Sequence, residues 1–238
     1  MRIDTGIYHA VPPGKKTGCL PRVSRPGEWF PRAEDRIEIV PETDWEELSR
    51  TNKVTPFVKE ILDQDGVGSC ATESTAGAVM ACRAVAGLPH VTLNPWFIYH
   101  TTSGGRDSGS SIDTNLRFIQ EHGIAPMAVW GRDQGWRRKP SAEAYEAALQ
   151  FRGIEVFDIA SVNEFVSALL RGFFVVYGAR GHSVGASEYR SSGPWGPNSW
   201  GTDWGDGGFG TWVSWRQINW GYGAWALRAV TESDGGGA

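Results

Sequence analysis

The stretch QDGVGSC at residues 64–70, followed by an alanine-rich run at residues 71–87, determines how the rest of the chain is expected to fold. It predicts a helix that begins at Cys70 after a glycine-rich loop. The first backbone N–H groups of a helix are unpaired and carry a partial positive charge, so a thiolate there is stabilised and its pKa falls. Gln64 adds a side-chain amide donor. Together these groups can supply the nucleophile and oxyanion donors of an acyl-transfer site, which still requires a base.

The composition predicts a globular protein with one substantial core or two lobes, since 40% of its 238 residues are hydrophobic and 21% are charged. A formal net charge of -4 without a long basic block indicates no nucleic-acid partner. No apolar stretch is long enough to cross a bilayer, and residues 1–10 lack the apolar run of a signal peptide. We therefore expect a monomer that is cytoplasmic, or otherwise not secreted through a signal peptide, with no membrane partner.

The three cysteines, Cys19, Cys70 and Cys82, are too few for a disulfide-stapled secreted domain. If the run after Cys70 is helical, Cys82 lies about 18 Å further along the axis, which is beyond disulfide reach. Cys19 could pair with Cys70 under oxidation. The chain has no C-x-x-C or H-E-x-x-H spacing, so we expect neither a metal site nor another cofactor.

The N-terminal region, residues 1–43, is rich in Pro, Arg and Gly and shows no sustained periodicity. It predicts an extended arm that packs on the surface of the domain, where it could lie near the cleft, with Lys15 and Lys16 in solvent. A catalytic domain is predicted at residues 44–232, and a flexible tail at residues 233–238.

Apolar periodicity divides the predicted domain into helices followed by strands. The predicted helices cover residues 42–48, 70–86, a segment from residue 94, and residues 112–122, 142–151 and 162–171. The predicted strands are a hairpin of residues 173–177 and 182–186, then residues 209–215 and 224–230. This order indicates an α+β fold, with a helical lobe at about residues 57–125, a β-rich lobe at about residues 150–232 and a cleft available between them.

Among the five histidines, His182 is the candidate base, because it lies on a predicted strand and an amide, Asn198, follows sixteen residues later. An imidazole that accepts a proton from a thiol is held in orientation by a partner on its other nitrogen. An asparagine side chain can be that partner. The other four histidines lie in the arm, in loops or at predicted helix ends, where structural roles are more common.

Four segments follow one another in a fixed order: VTPFVK at residues 54–59, QDGVGSC at 64–70, GHSV at 181–184 and NSWGTDWGDGGF at 198–209. The last segment is the longest and most specific. Together they resemble the papain-like cysteine peptidases, in a divergent, disulfide-poor form that would suit a bacterial or phage-encoded member. The resemblance implies a two-lobed fold, in which an active-site cleft separates a helical lobe from a shortened antiparallel β lobe.

Carried over position by position, the resemblance implies a catalytic triad. Cys70 would be the nucleophile, His182 the general base and acid, and Asn198 the residue that orients the imidazole. The oxyanion hole would consist of the Gln64 side chain and the Cys70 backbone N–H.

The resemblance also implies supporting roles. The Trp200 ring would shield the bond between the imidazole and its amide partner from water, and Gly109 with Ser110 would contact the substrate backbone. The implied activity is hydrolysis of peptide bonds in a peptide or protein through a thioester, without a metal or cofactor.

The sequence departs from the family pattern beside the nucleophile. The local pattern C-G-[SA]-C-[WY] has Val67 in place of its first cysteine and Ala71 in place of its aromatic residue. Val67 removes the disulfide that the first cysteine normally forms. The spacing from Cys70 to His182 is also shorter than the roughly 130 to 150 residues typical of the family, which predicts a trimmed second lobe.

Two other functions are compatible with parts of the sequence. Residues 181–185 match G-x-S-x-G, the nucleophile elbow of serine hydrolases, although no histidine follows His182 as that order requires. A papain-like scaffold could also have lost its chemistry and serve as a binding or structural module. The arm, in either case, could be inhibitory or structural.

Overall fold

Two hydrophobic cores share one antiparallel sheet in the computed structural model of the chain, which describes residues 10–231. One core lies between the sheet and the helices that follow Cys70, and the other lies on the opposite face. The mixture of helices and antiparallel strands confirms the predicted α+β class. The predicted tail at residues 233–238 and the first nine residues of the predicted arm lie outside the described residues.

The predicted helices are all present, and each begins within one residue of its predicted start. A short 3-10 turn, Glu42–Asp44, leads directly into the first α-helix. The α-helices are α1 (Trp45–Leu48), α2 (Cys70–Val85), α3 (Pro95–Thr102), α4 (Ile112–Glu121), α5 (Ala142–Ala148) and α6 (Val162–Leu170). The prediction for residues 142–151 was too long, because the helix ends at Ala148.

The strands form one central sheet and two smaller ones. They are β1 (Cys19–Leu20), β2 (Ser110–Ser111), β3 (Val156–Ile159), β4 (Phe174–Ala179), β5 (His182–Ala186), β6 (Glu188–Arg190), β7 (Gly193–Pro197), β8 (Phe209–Thr211) and β9 (Ala224–Leu227). The central sheet has the order β3-β9-β4-β5, with antiparallel neighbours throughout. The second sheet is β6-β7-β8, and β1 pairs with β2 in parallel.

Strand β4 separates the two cores, because its successive side chains point to opposite faces of the sheet. Phe174 and Val176 face the helical core, whereas Val175 and Tyr177 face the core that contains α6. This explains why residues 173–177 read as a continuous apolar run: both faces of the strand are buried. Strand β5 pairs with it as the predicted hairpin, with Tyr177 opposite Val184.

Helix α2 is the central helix of the molecule. It packs against both β4 and β5, and thirteen of its sixteen residues are buried. Small side chains such as Ala76 and Ala78, both fully buried, allow the helix axis to approach the sheet closely. Cys70 is thereby placed at the junction of the helical core and strand β5. None of the helices within residues 10–231 is long and apolar enough to span a membrane.

Two glycines bring the central sheet and the second sheet into backbone contact. A Cβ atom on Gly196 of β7 would lie 2.3 Å from the carbonyl oxygen of Gly185 of β5. A Cβ atom on Gly185 would lie 2.4 Å from the Phe174 ring. The strands can therefore cross this closely only because Gly196 lacks a side chain, while Gly185 leaves room for the Phe174 ring of β4. This crossing brings the start of β5 close to the residue that follows β7.

The arm connects the two lobes. Asp158 of β3 is buried and forms a salt bridge with Arg22 at 2.6 Å, while Asp113 of α4 accepts hydrogen bonds from the backbone of Val23 and Ser24 at 2.8 and 2.7 Å. Because Asp113 belongs to the helical lobe and Asp158 to the β-rich lobe, this part of the arm is fixed to both.

We expect Gly196→Ala to lower the free energy of unfolding by about 1 to 3 kcal/mol, because the added methyl group overpacks the strand crossing. Gly77→Ala is the matched control: a Cβ atom at this helical position meets nothing within 4 Å, so the same change should stabilise the protein by about 0.5 to 1 kcal/mol. Urea denaturation measures both. Equal effects of the two substitutions would contradict the requirement for a glycine at the crossing.

Candidate active site

His182, Asn198 and Trp200 meet at the strand crossing. The imidazole Nε2 of His182 lies 2.7 Å from Oδ1 of Asn198. The Trp200 ring stacks on the imidazole, with ring centroids 4.2 Å apart and an interplanar angle of 18°. The backbone N–H of Ser199 also donates to Asn198 Oδ1 at 2.7 Å, which turns the amide oxygen towards the imidazole. The predicted orienting amide and the predicted shielding ring therefore both contact His182.

The thiol of Cys70 lies at the first residue of α2 and is fully buried. Backbone N–H groups of Ser183, Gly18 and Ala71 interact favourably with its thiolate form. Ser183 directly follows His182 on β5, so the structure brings the thiol to the strand that carries the imidazole. The other ring nitrogen of His182, Nδ1, is buried and has no hydrogen-bond partner among the described residues.

Burial has the largest effect on the pKa of both the Cys70 thiol and the His182 imidazole. It raises the pKa of the Cys70 thiol to about 11, although the neighbouring backbone N–H groups act in the opposite direction. Burial lowers the pKa of His182 to about 4, although the hydrogen bond with Asn198 raises it. We expected the helix N-terminus to lower the thiol pKa, and in this structure desolvation outweighs that effect. Thiol and imidazole are therefore both neutral at pH 7.

The Gln64 side chain is buried and hydrogen-bonded at both of its polar atoms. Its Oε1 accepts from Ser199 Oγ at 2.8 Å, which leaves Nε2 to donate. Nε2 donates to the carbonyl of Val67 and, at 3.1 Å, to the carbonyl of Lys16. The predicted oxyanion donor thus already bonds to two peptide carbonyls, one from its own loop and one from the arm.

The arm lies on the domain beside the candidate site, where its residues 15–19 contact the segments that carry Gln64, Ser110 and His182. The carbonyl of Gly18 accepts a hydrogen bond from the backbone of Ser110 at 3.0 Å, and the N–H of Cys19 donates to Gly181 at 2.9 Å. A Cβ atom on Gly109 would lie 2.3 Å from the Gly18 carbonyl oxygen. Gly109 and Ser110 therefore contact a peptide backbone, and that backbone belongs to the arm.

Lys15 and Lys16, which we predicted to be solvated, are both ion-paired. Lys15 bonds to the carboxylate of Asp63, and Lys16 bonds to that of Asp107 at 2.7 Å. Asp107 also accepts from the backbone N–H of Gly68 at 2.7 Å, so it joins the arm to the loop before Cys70. The two carboxylates flank the cleft, and they attract the cationic segment that lies in it.

The serine-hydrolase alternative does not agree with the geometry. Residues 181–185 lie in the β4–β5 turn and strand β5, not in a turn from a strand to a helix. The Ser183 hydroxyl is buried and lies 2.7 Å from the hydroxyl of Ser74. The Ser183 hydroxyl is therefore not presented as an exposed nucleophile.

The three cysteines are all buried and free, so Cys19 and Cys70 are not paired in this structure. Within residues 10–231, no group of three or more His, Cys, Asp or Glu side chains is arranged to hold a metal ion. Sequence patterns did not indicate the roles of Asp63, Asp107 and Ser199. Only Ser199 lay in a recognisable segment, directly after Asn198.

No family model matches the sequence, and no curated protein sequence is significantly similar to it. Solved structures are similar to it in fold. Xylellain, a cysteine protease from Xylella fastidiosa, is 18% identical, with a TM-score of 0.66 over 93% of this chain and 99% of that chain. Digestive procathepsin L 3 of Tenebrio molitor is 18% identical, with a TM-score of 0.61 over 90% of this chain and 75% of that chain.

A recombinant stem bromelain precursor is 14% identical, with a TM-score of 0.64 over 92% of this chain and 78% of that chain. These structures confirm that the chain has the papain-like fold that the sequence motifs predicted. At such low identity, the likeness establishes the fold alone.

The pKa of His182 can be tested by an NMR titration of the full chain. We expect the imidazole to remain neutral until about pH 4, because burial opposes its charged form. The unfolded value is about 6.5, so the folded state should lose stability as the pH falls from about 6.5 towards 4. Asn198→Ala should lower the pKa of His182 further, because it removes the hydrogen bond that raises it. A His182 titration midpoint near 6.5 in the unmodified protein would contradict the observed burial.

Proposed function

We propose that this chain is a cysteine peptidase, which hydrolyses peptide bonds through a thioester on Cys70 and is held latent by its own N-terminal arm. The observation that carries the proposal is the buried hydrogen bond of 2.7 Å between His182 Nε2 and Asn198 Oδ1, which leaves Nδ1 free for a thiol. A binding or structural module with no catalytic function would not require these three features together at the crossing of β5 and β7. They are a buried imidazole with an amide partner, a thiol at the start of a helix, and the hydrogen-bonded amide of Gln64.

The mechanism begins when the arm leaves the cleft and a substrate carbonyl takes the place of the Lys16 carbonyl. His182 Nδ1 accepts the proton of the Cys70 thiol, and the thiolate sulfur forms a bond to the carbonyl carbon. The developing oxyanion accepts hydrogen bonds from the Gln64 amide and the Cys70 backbone N–H. The imidazolium then donates its proton to the leaving amine as the C–N bond breaks, and a thioester remains.

Hydrolysis of the thioester repeats the same proton transfers with water. His182 Nδ1 accepts a proton from water, and the hydroxide oxygen attacks the thioester carbonyl. The C–S bond breaks, the thiol is restored by the imidazolium proton, and the carboxylic product leaves. Asn198 holds the imidazole in one orientation through both steps. A peptide or protein substrate is expected, because Gly109 and Ser110 offer backbone contacts to an extended chain.

The arm is the basis for the proposed latency. The carbonyl of Lys16 accepts a hydrogen bond from the Gln64 side-chain amide, and the backbone N–H of Gly18 interacts with the thiolate form of Cys70. A substrate cannot reach these groups while the arm is in place, and the burial that it contributes to keeps thiol and imidazole neutral. Two of the solved structures with the same fold are described as a procathepsin and a bromelain precursor, which is consistent with an occluded form.

Reaction with a peptide-like electrophile tests the peptidase proposal against the silent-scaffold alternative. The arm slows every reagent alike, so the test compares variants of the full chain: we expect His182→Ala to slow the labelling of Cys70 by about a hundredfold, because it removes the base, and Cys70→Ala to abolish the labelling. Cys82→Ala is the control, because Cys82 lies on the same helix inside the core and has no base beside it. Intact-mass spectrometry measures the adduct. A labelling rate of Cys70 that is the same with and without His182 would support the binding or structural module.

Reversal of two arm charges tests latency. The double variant Lys15→Glu, Lys16→Glu converts two attractions with Asp63 and Asp107 into repulsions, worth roughly 1 to 2 kcal/mol in total for partly exposed pairs. The labelling rate of Cys70 should then rise by roughly five- to thirtyfold. Lys59→Glu, an exposed charge reversal outside the arm, should leave the rate unchanged. An unchanged rate in the double variant would show that these ion pairs do not keep the cleft closed.

A further inference from the structure

One guanidinium group, that of Arg132, contacts the chain on both sides of Gln64. Its Nη1 donates to the backbone carbonyl of Asp63 and, at 3.0 Å, to the carboxylate of Asp65. Asp65 has a φ of 51°, in a region that residues other than glycine seldom adopt. The turn that presents Gln64 is therefore one that contacts from outside must hold in place.

The same guanidinium is also bonded to the helix that carries the nucleophile. Its Nη2 donates to Glu73 Oε2 at 2.7 Å, and the other carboxylate oxygen accepts from Ser69 Oγ at 3.0 Å. Glu73 is buried and lies three residues after Cys70, so both are in the first turn of α2. Burial raises the pKa of Glu73 to about 7, against the opposing effects of Arg132 and Ser69.

The indole ring of Trp96 also holds the Arg132 guanidinium in place. The guanidinium carbon of Arg132 lies 4.7 Å from the centroid of the Trp96 ring, and the indole N–H of Trp96 donates to Ser69 Oγ at 3.3 Å. The Glu73 carboxylate and the Trp96 ring thus hold the Arg132 guanidinium in the position from which it contacts the turn at residues 63–65. Its planar fork allows it to bond to several acceptors in fixed directions, which a lysine ammonium cannot reproduce.

We propose that Arg132 is a positioning residue for the oxyanion-stabilising amide of Gln64, because it ties the turn at residues 63–65 to the first turn of α2. This inference rests on the proposed peptidase function. The two oxyanion donors, the Gln64 amide and the Cys70 backbone N–H, belong to these two segments. Arg132 therefore sets the spacing between the donors without contact with the substrate.

Two reactions of the same thiol separate this role from general structural support. Acylation of Cys70 by a peptide nitrophenyl ester forms an oxyanion, whereas alkylation by iodoacetamide does not. Both reactions require the arm to open, so the ratio of their rates in the full chain does not depend on the extent of opening. Arg132→Gln should lower the acylation rate about tenfold or more. This loss is smaller than the roughly 10²–10³-fold loss in rate that complete removal of an oxyanion donor causes, because Gln64 is displaced but still present. Alkylation should change by less than about twofold, since the thiol and its base are untouched.

A double-mutant cycle with Gln64→Ala tests whether Arg132 acts through Gln64. In the Gln64→Ala background, the further change Arg132→Gln should alter the acylation rate by less than about twofold. Arg132→Lys should give partial rescue, and Arg137→Gln, an exposed arginine of the same loop, should behave as the unmodified protein. Equal losses in acylation and alkylation, or a full additional loss in the Gln64→Ala background, would overturn the proposal.

A readout that needs no acyl transfer keeps the two proposals distinguishable. If the unmodified protein is not acylated, the peptidase proposal fails, and hydrogen exchange of the Gln64 side-chain amide, followed by NMR, still tests the positioning. We expect this exchange to be about tenfold faster or more in Arg132→Gln, since the turn is released. An unchanged exchange rate would overturn the role of Arg132 whether or not the protein is a peptidase.

Discussion

The hydrogen bond between His182 and Asn198 is the interaction on which the candidate site depends, and it joins two different sheets. His182 is the first residue of β5 in the central sheet, and Asn198 directly follows β7 in the second sheet. The bond can form because β5 and β7 cross with their backbones in contact at Gly185 and Gly196. The Trp200 ring stacks on the imidazole beside this bond. Backbone packing at the strand crossing therefore determines how the imidazole of His182 is oriented.

Burial has two opposing consequences at this site. It protects the hydrogen bond of His182 from water, which favours a fixed imidazole. It also raises the pKa of Cys70 and lowers that of His182, which favours the neutral and unreactive pair. The arm acts in both directions, because it helps to bury the thiol while the backbone N–H of its Gly18 lowers the pKa of Cys70. Displacement of the arm would admit water and substrate together, so the same movement that opens the cleft would favour ionisation of the thiol.

The sequence predicted the parts of the structure that local signals specify. Helix starts followed from apolar periodicity, and the segment from Asn198 to Phe209 indicated the fold and the orienting amide. Strand β7 was not predicted, because two glycines and two prolines in five residues are unfavourable in a strand, and its role is to approach β5 closely. The pair of Lys15 with Asp63 and the contacts of Arg132 could not be predicted, since they join residues 48 and more positions apart without a local pattern.

Identification of an acyl-enzyme tests the proposed thioester mechanism most directly. The full chain would be mixed with a peptide ester, quenched in acid and digested, and the acylated residue located by mass spectrometry. We expect a single acyl group on Cys70 that hydroxylamine removes, and no acyl group in His182→Ala. An acyl group on Ser183, or no acyl group in protein whose Cys70 is still alkylated by a small reagent, would contradict a thioester mechanism at this site.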